Sequence, residues 1–190
     1  YRIKIHGSLI YIIIFFLTHK KLIHKRPDIF MSMISTNMST GFYSSEAAMS
    51  SADDTWTTPT DFFNKSNEEF QFGLDAAALQ NSTKIDTNWY GPDHTDPERR
   101  DAFKRNWTAD ADGKPIWLNP PYGRTIKQWM EKADTESKRG ATVVCLVPAR
   151  TDTAWFQDYC LQHTVRFIRG RLKFGDAKNA APFPSALVIM

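Results

Sequence analysis

Pro115-Ile116-Trp117-Leu118-Asn119-Pro120-Pro121-Tyr122 is the stretch that decides the fold of this chain. Ile116-Trp117-Leu118 is a short apolar run of the kind that forms a buried strand. It stops at an asparagine and two prolines, which end a strand and fix the backbone. In an open α/β sheet, ligands sit just beyond such strand ends. The groups of this turn suit one chemical problem, methylation of an exocyclic amino group on a base. That nitrogen is a poor nucleophile because its lone pair is delocalised into the ring. The Asn119 side-chain oxygen and the Pro120 carbonyl can accept its two N–H bonds, favouring a tetrahedral nitrogen with its lone pair free. Pro120 and Pro121 fix these carbonyls before substrate arrives. Tyr122 offers a flat face on which an extruded base can stack. The competing reading is a plain strand-ending turn, since Asn and Pro are common there.

Outward from this turn the pattern is that of an α/β domain. Trp56-Thr57-Thr58-Pro59 opens it, with Thr58 as a helix cap, Pro59 in the first turn and a helix running to about Phe70. Gln71-Phe72-Gly73-Leu74-Asp75 reads as a short strand ending in an acid. Residues 86–97 form a loop, Pro97 to Trp107 a helix, and Asp110-Ala111-Asp112-Gly113 a turn. From Arg124, the spacing of Ile126, Trp129, Met130 and Ala133 predicts an amphipathic helix closed at Gly140. Thr142 to Val147 is a buried strand, followed by a helix near Thr153–His163. Two β-like runs between Val165 and Met190 suggest a terminal antiparallel hairpin. The order is βαβαβ plus that pair.

Charge is unevenly spread. Residues 1–30 carry a net +5, residues 31–118 carry −7 and residues 119–190 carry +5. A polyanion is therefore met mainly by the C-terminal part. The two cysteines, Cys145 and Cys160, fit neither a disulfide framework nor a zinc site, and suit a reducing, intracellular setting. Leu9 to Leu17 is an unbroken run of nine apolar residues, short of the roughly twenty that span a bilayer. No small-residue cleavage site follows it, so a leader translated upstream of Met31, Met33 or Met38 is the expectation, and stable membrane association is not. Residues 1–55 are read as a leader, disordered or translated upstream of the start, with 31–55 as its flexible part, and residues 56–190 as the functional domain. The apolar strand at Met190 either finishes the sheet or marks a fragment.

Asp75 ends a strand as Asn119 does, which places an acid beside the first turn. It either contacts a nucleoside-bearing cofactor or caps the segment that follows. No G-x-G-x-x-G or phosphate loop occurs, which suits S-adenosylmethionine, a cofactor without phosphates. Arg150, in Val147-Pro148-Ala149-Arg150-Thr151-Asp152, can meet a phosphate or pair with Asp152. Arg169, Arg171 and Lys173 alternate around Gly170, giving one basic stripe if they lie on a strand, or a charged edge that blocks aggregation. Arg124 and Lys127 lie just after the Asn-Pro-Pro-Tyr turn. His94 and His163 have no partner at catalytic or metal-ligand spacing, and no metal is expected.

These motifs, in order, resemble the phage-type DNA N-6-adenine methyltransferases, the Dam family. The likeness runs from Trp56 to Met190. It rests on Trp56-Thr57-Thr58-Pro59, Phe72-Gly73-Leu74-Asp75-Ala76-Ala77, Trp117 to Tyr122, Leu146 to Asp152 with Trp155-Phe156, Gly170 to Phe174, and Ala181 to Ser185. The resemblance implies a Rossmann-like S-adenosylmethionine-dependent methyltransferase sheet acting on double-stranded DNA in a bacterial or phage-infected cytoplasm. It makes Asn119, Pro120, Pro121 and Tyr122 the catalytic motif. Asp75, Ala76, Thr58 and Pro59 fall on the cofactor side, and Arg124, Lys127, Arg150, Arg169, Arg171 and Lys173 on the DNA side. The chain lacks the Gly-rich loop and the separate target-recognition domain of larger adenine methyltransferases. Two alternatives stay open: the same chemistry on cytosine N4, RNA or protein glutamine, and a DNA-binding module without catalysis.

Overall fold

A computed structural model describes residues 56–190; the leader expected over residues 1–55 lies outside them. The strands form where apolar runs meet polar or proline stops. β1 is Leu74–Asp75, β2 is Ile116–Leu118 and β3 is Val143–Pro148, and every residue in them is buried. Continuous burial, with no alternation, marks strands covered on both faces. β4 (Thr164–Phe167) and β5 (Ser185–Ile189) complete a five-stranded sheet in the order β1-β2-β3-β5-β4. β1, β2 and β3 are parallel, while β5 is antiparallel to both β3 and β4. The C-terminal ends of β1 to β4 and the start of β5 therefore share one end of the sheet.

Three α-helices accompany the sheet among the described residues: α1 (Thr60–Phe70), the single turn α2 (Trp107–Asp110) and α3 (Ile126–Lys138). α3 buries Ile126, Met130 and Ala133, as its periodicity predicts, and gives way to Gly140 at φ +100°. α1 begins one residue later than expected. Pro59 occupies the cap position with ψ 133°, and no side chain caps the helix, so Thr58 stands too early to do so. Phe63 of α1 packs edge-on to Trp117 at 5.4 Å and beside Phe72 at 5.7 Å, which fixes α1 on the sheet.

Several expected elements change on folding. The strand read from Gln71 shrinks to two residues, because Gln71 takes a left-handed conformation (φ 57°) as the C-cap of α1. The helix expected over Pro97–Trp107 is replaced by two 3-10 turns, Pro97–Arg99 and Ala102–Lys104, ahead of α2. Asp96, Asp101 and Asn106 each accept a backbone N–H with their side chain, and each restarts the chain. Such local bonds compete with helix propagation. The segment near Thr153–His163 winds as a π-type turn over Phe156–Cys160. Arg169, Arg171 and Lys173 lie in the connection 168–184 and not on a strand, so the expected stripe on one strand face does not form. Arg150 and Asp152 make no ion pair among the described residues.

An ionic knot joins α2 to α3. The Glu136 side chain is fully buried and accepts from Lys132 Nζ at 2.6 Å, Arg139 at 2.9 Å and Thr108 Oγ1 at 2.8 Å. Burial works against its charge, but the hydrogen bonds from Lys132 and Thr108 win and hold its carboxyl below the usual range. No described helix is long and apolar enough to cross a membrane.

Candidate active site

A cleft of about 440 Å³ opens at the shared end of the sheet, where β1 and β2 stop. Asp75 lines it from β1, Asn119, Pro120 and Pro121 from the turn after β2, and Thr58 from the segment before α1. The two strand-end motifs thus meet in one cavity of the size that holds a small-molecule ligand. Pro59 and Ala76 adjoin these residues in sequence but are absent from the cleft lining.

Asp75 is 2% exposed. Its carboxylate accepts the backbone N–H of Lys84 at 3.0 Å and, more weakly, that of Ala77 at 3.4 Å. No helix follows it, so it holds the 76–84 loop around one wall of the cleft. Burial pushes its pKa up to about 7, with the bonds from Lys84 and Ala77 acting against the rise. Residues 88–105, an irregular segment pinned by polar contacts, line the cleft alongside it: Tyr90 N–H donates to the Asp75 carbonyl at 3.0 Å and Ala78 N–H to the Tyr90 carbonyl at 2.9 Å. Asn88 donates to the carbonyls of Gly73 and Asp110, both at 2.8 Å, and accepts from Arg99 at 2.6 Å. Tyr90 lines the cleft, and its hydroxyl donates to Asp110 at 2.5 Å; burial, then that bond to Asp110, holds its pKa above the usual range. Gly91 sits so near Ala78 that a Cβ there would lie 1.9 Å from the Ala78 carbonyl oxygen.

Asn119 is held from both sides. Its Nδ2 donates to the Trp56 carbonyl at 2.5 Å, and its Oδ1 accepts from the Tyr122 hydroxyl at 2.7 Å. Tyr122 departs from the expectation of an open stacking face. The residue is 3% exposed, its ring lies at a T-shaped angle to Phe174 at 6.0 Å and to Phe183 at 5.6 Å, and it is absent from the cleft lining. Trp56 meets the same two phenylalanines at 5.4 and 5.0 Å and does line the cleft. The connection 168–184 thereby packs behind the Asn119 turn, and Gly175 N–H donates to the Thr57 carbonyl at 2.8 Å.

All six expected basic residues follow strand ends on the cleft side of the sheet. Arg124 and Lys127 come after β2, Arg150 after β3, and Arg169, Arg171 and Lys173 after β4. All are exposed except Arg150, which is half-buried. His163 is not isolated: its Nε2 lies 3.2 Å from Asp134 Oδ1. His94 accepts the Asp96 N–H at 2.9 Å, and neither histidine lines the cleft. No cluster of three or more metal-type ligands occurs among the described residues. Cleft residues that the sequence reading passed over include Lys84, Tyr90, Arg100, Phe103 and Trp129. Lys84 and Tyr90 sit in loops without periodicity, while Arg100 and Phe103 fall in the stretch expected as a helix, where the 3-10 turns aim them differently.

The described residues thus form a mixed sheet with an Asn-Pro-Pro-Tyr turn at one end of its strands, and comparison with known proteins gives the family. The chain matches the family DNA N-6-adenine-methyltransferase (Dam) over residues 44–187. It therefore belongs to that family. It is 28% identical over 117 residues to the DNA N-6-adenine-methyltransferase of Haemophilus phage HP1 (strain HP1c1), covering 60% of this chain and 61% of that protein. It is 29% identical over 106 residues to the protein of the same name from Escherichia phage T1, covering 55% of this chain and 40% of that one. The matched segments thus span about two to three fifths of these relatives.

Proposed function

We propose that this chain methylates N6 of adenine in double-stranded DNA, using S-adenosylmethionine, on a Rossmann-like sheet. The observation that carries the reading is the meeting of Asp75 and the Asn119-Pro120-Pro121 turn in one cleft. The small side chains of Ala77 and Ala78, the buried Asp75 carboxyl and the absence of any phosphate loop fit a nucleoside cofactor without phosphates. Asp75 and the 76–84 loop are the residues that would hold it. When bound, S-adenosylmethionine supplies a methyl group already activated by its sulfonium charge.

The chain's own part is orientation and charge placement. The target adenine leaves the duplex, at an unstacking cost of about a few kcal/mol offset by pocket contacts. Asn119 Oδ1, which keeps a second lone pair beside the Tyr122 bond, and the Pro120 carbonyl accept the two N6 hydrogens. That removes the nitrogen from conjugation and aims its lone pair along the cleft. Trp56, Pro120 and Pro121 give the base an apolar wall. Arg124, Lys127, Arg150, Arg169, Arg171 and Lys173 meet the DNA phosphates and add affinity without reading sequence. The reaction belongs in the cytoplasm of a bacterial host or infected cell.

The test is transfer of labelled methyl from S-adenosylmethionine to unmethylated duplex DNA, followed by nucleoside analysis. N6-methyladenine is the expected product. Asn119→Ala retains cofactor binding and loses about 100-fold or more in turnover, the scale of a lost preorganised contact. Label in cytosine, RNA or protein instead, or unchanged turnover in Asn119→Ala, overturns the reading.

A further inference from the structure

We infer that Lys84 and Thr58 form a seat for a carboxylate in the cleft, and that the seat takes the amino-acid end of S-adenosylmethionine. The inference deepens the proposed reaction and rests on it for the identity of the cofactor. Both residues line the cleft, Thr58 from the segment before α1 and Lys84 from the end of the 76–84 loop. Thr58 is 4% exposed, and its hydroxyl has no hydrogen-bond partner among the described residues. Enclosed hydroxyls are nearly always paired, so an unpaired one in the wall of a cleft points to a ligand.

The charges around this hydroxyl are of one sign. α1 starts at Thr60 with no side-chain cap, so the N–H groups of its first turn keep the positive end of the helix dipole. Lys84 brings an ammonium to the same place, where its Nζ donates to Thr60 Oγ1 at 3.2 Å. That ammonium has no carboxylate in ion-pair contact among the described residues: Asp75 accepts the Lys84 backbone N–H instead. Asp61, in the first turn of α1, is exposed and absent from the cleft lining. A cation held at a helix N-terminus is unfavourable in the free protein, and an anion set between them reverses the sign. Lys84 and Thr58 together offer that anion a charged donor and a neutral one. The cofactor of the proposed reaction carries a carboxylate at its amino-acid end. A phosphate of duplex DNA would bring its backbone with it, which a cleft of about 440 Å³ does not admit.

The experiment is calorimetric and needs no turnover. Wild type, Lys84→Met, Lys84→Arg and Thr58→Val are titrated with S-adenosylhomocysteine, which keeps the amino-acid end, and with methylthioadenosine, which lacks it. Lys84→Met is expected to weaken S-adenosylhomocysteine about 10- to 100-fold, the worth of a hydrogen bond to a charged group, and to leave methylthioadenosine unchanged. Lys84→Arg should recover most of that loss, and Thr58→Val should cost about tenfold on S-adenosylhomocysteine alone. Without ligand, Lys84→Met should melt at or above the wild-type temperature, because it removes a cation from a positive helix end. Equal losses for the two ligands, or none, overturn the inference. A lower melting temperature with unchanged affinity makes Lys84 a structural tie and also overturns it. Wild-type affinity for S-adenosylhomocysteine with weakened binding to duplex DNA assigns the seat to a phosphate instead. A wild-type protein that binds neither S-adenosyl compound defeats the cofactor reading itself, whereas one that binds S-adenosylhomocysteine and is insensitive at positions 58 and 84 defeats only the seat.

Discussion

Asp75 shows how one residue ties stability to the site. Its carboxyl titrates near 7 in the folded chain, against an ordinary value of 3.8, because burial disfavours the charge. An acid whose pKa is raised by folding contributes stability that is fully present below pH about 4 and is lost as pH rises through about 7. The stake is on the order of a few kcal/mol. Asp75→Asn is expected to abolish that part of the pH dependence, measured as melting temperature against pH for both proteins. A variant whose melting curve tracks wild type between those values would show that Asp75 is not the group responsible. At this scale much was legible in the sequence. The chemistry of Asn119 and Pro120 is local to four residues, and an acid ending a strand is visible as such. The burial of Tyr122 was not, because the rings that cover it, Phe174 and Phe183, come from a distant loop.

Elements were legible where a period was sustained. α3 follows its apolar spacing, and β2 and β3 follow their unbroken apolar runs. The region between β1 and β2 was not, since its order comes from single side-chain bonds and close approaches. Two substitutions probe it. Gly91→Ala forces a Cβ into the Ala78 carbonyl, so the two paired segments must part. It is expected to cost about 1–3 kcal/mol by overpacking and to weaken S-adenosylmethionine binding, measured by denaturant melts and calorimetry. Glu136→Ala leaves the mostly buried Lys132 ammonium without its carboxylate, with the Arg105 carbonyl still accepting from it, and removes the Thr108 bond that ties α2 to α3. A loss of about 3 kcal/mol is expected, with cofactor affinity in the surviving folded fraction near wild type. Equal stability of the Glu136→Ala and wild-type proteins in urea would show that the knot holds nothing.

Across the described molecule, the charge asymmetry and the topology agree. The basic groups that follow β2, β3 and β4 fall at one end of the sheet because these strands end there and β5 begins there. Sequence showed the charges; their convergence needed the strand order, which no local pattern encodes. Binding to duplex DNA is expected to fall steeply with salt. Replacing Arg169 and Lys173 together by alanine should reduce the slope of log K against log salt by about 2, one for each phosphate contact, with little change in turnover at saturating DNA. An unchanged slope would remove the connection 168–184 from the interface.

The placement of β5 has a consequence for how this chain is made. A ribosome delivers the strands in numerical order, yet the last of the five belongs between the third and the fourth. Until Ser185–Ile189 emerge, β3 lacks its neighbour on that side and β4 has no partner at all among the described strands. The Phe174 and Phe183 rings behind Asn119 are also carried by the segment leading into β5. The sheet therefore closes only once β5 has been made, and its slow, long-range pairing leaves apolar β3 exposed meanwhile. A chain stopped just before Ser185 would lack the strand that joins β3 to β4, leaving two unjoined parts of a sheet that are prone to aggregate.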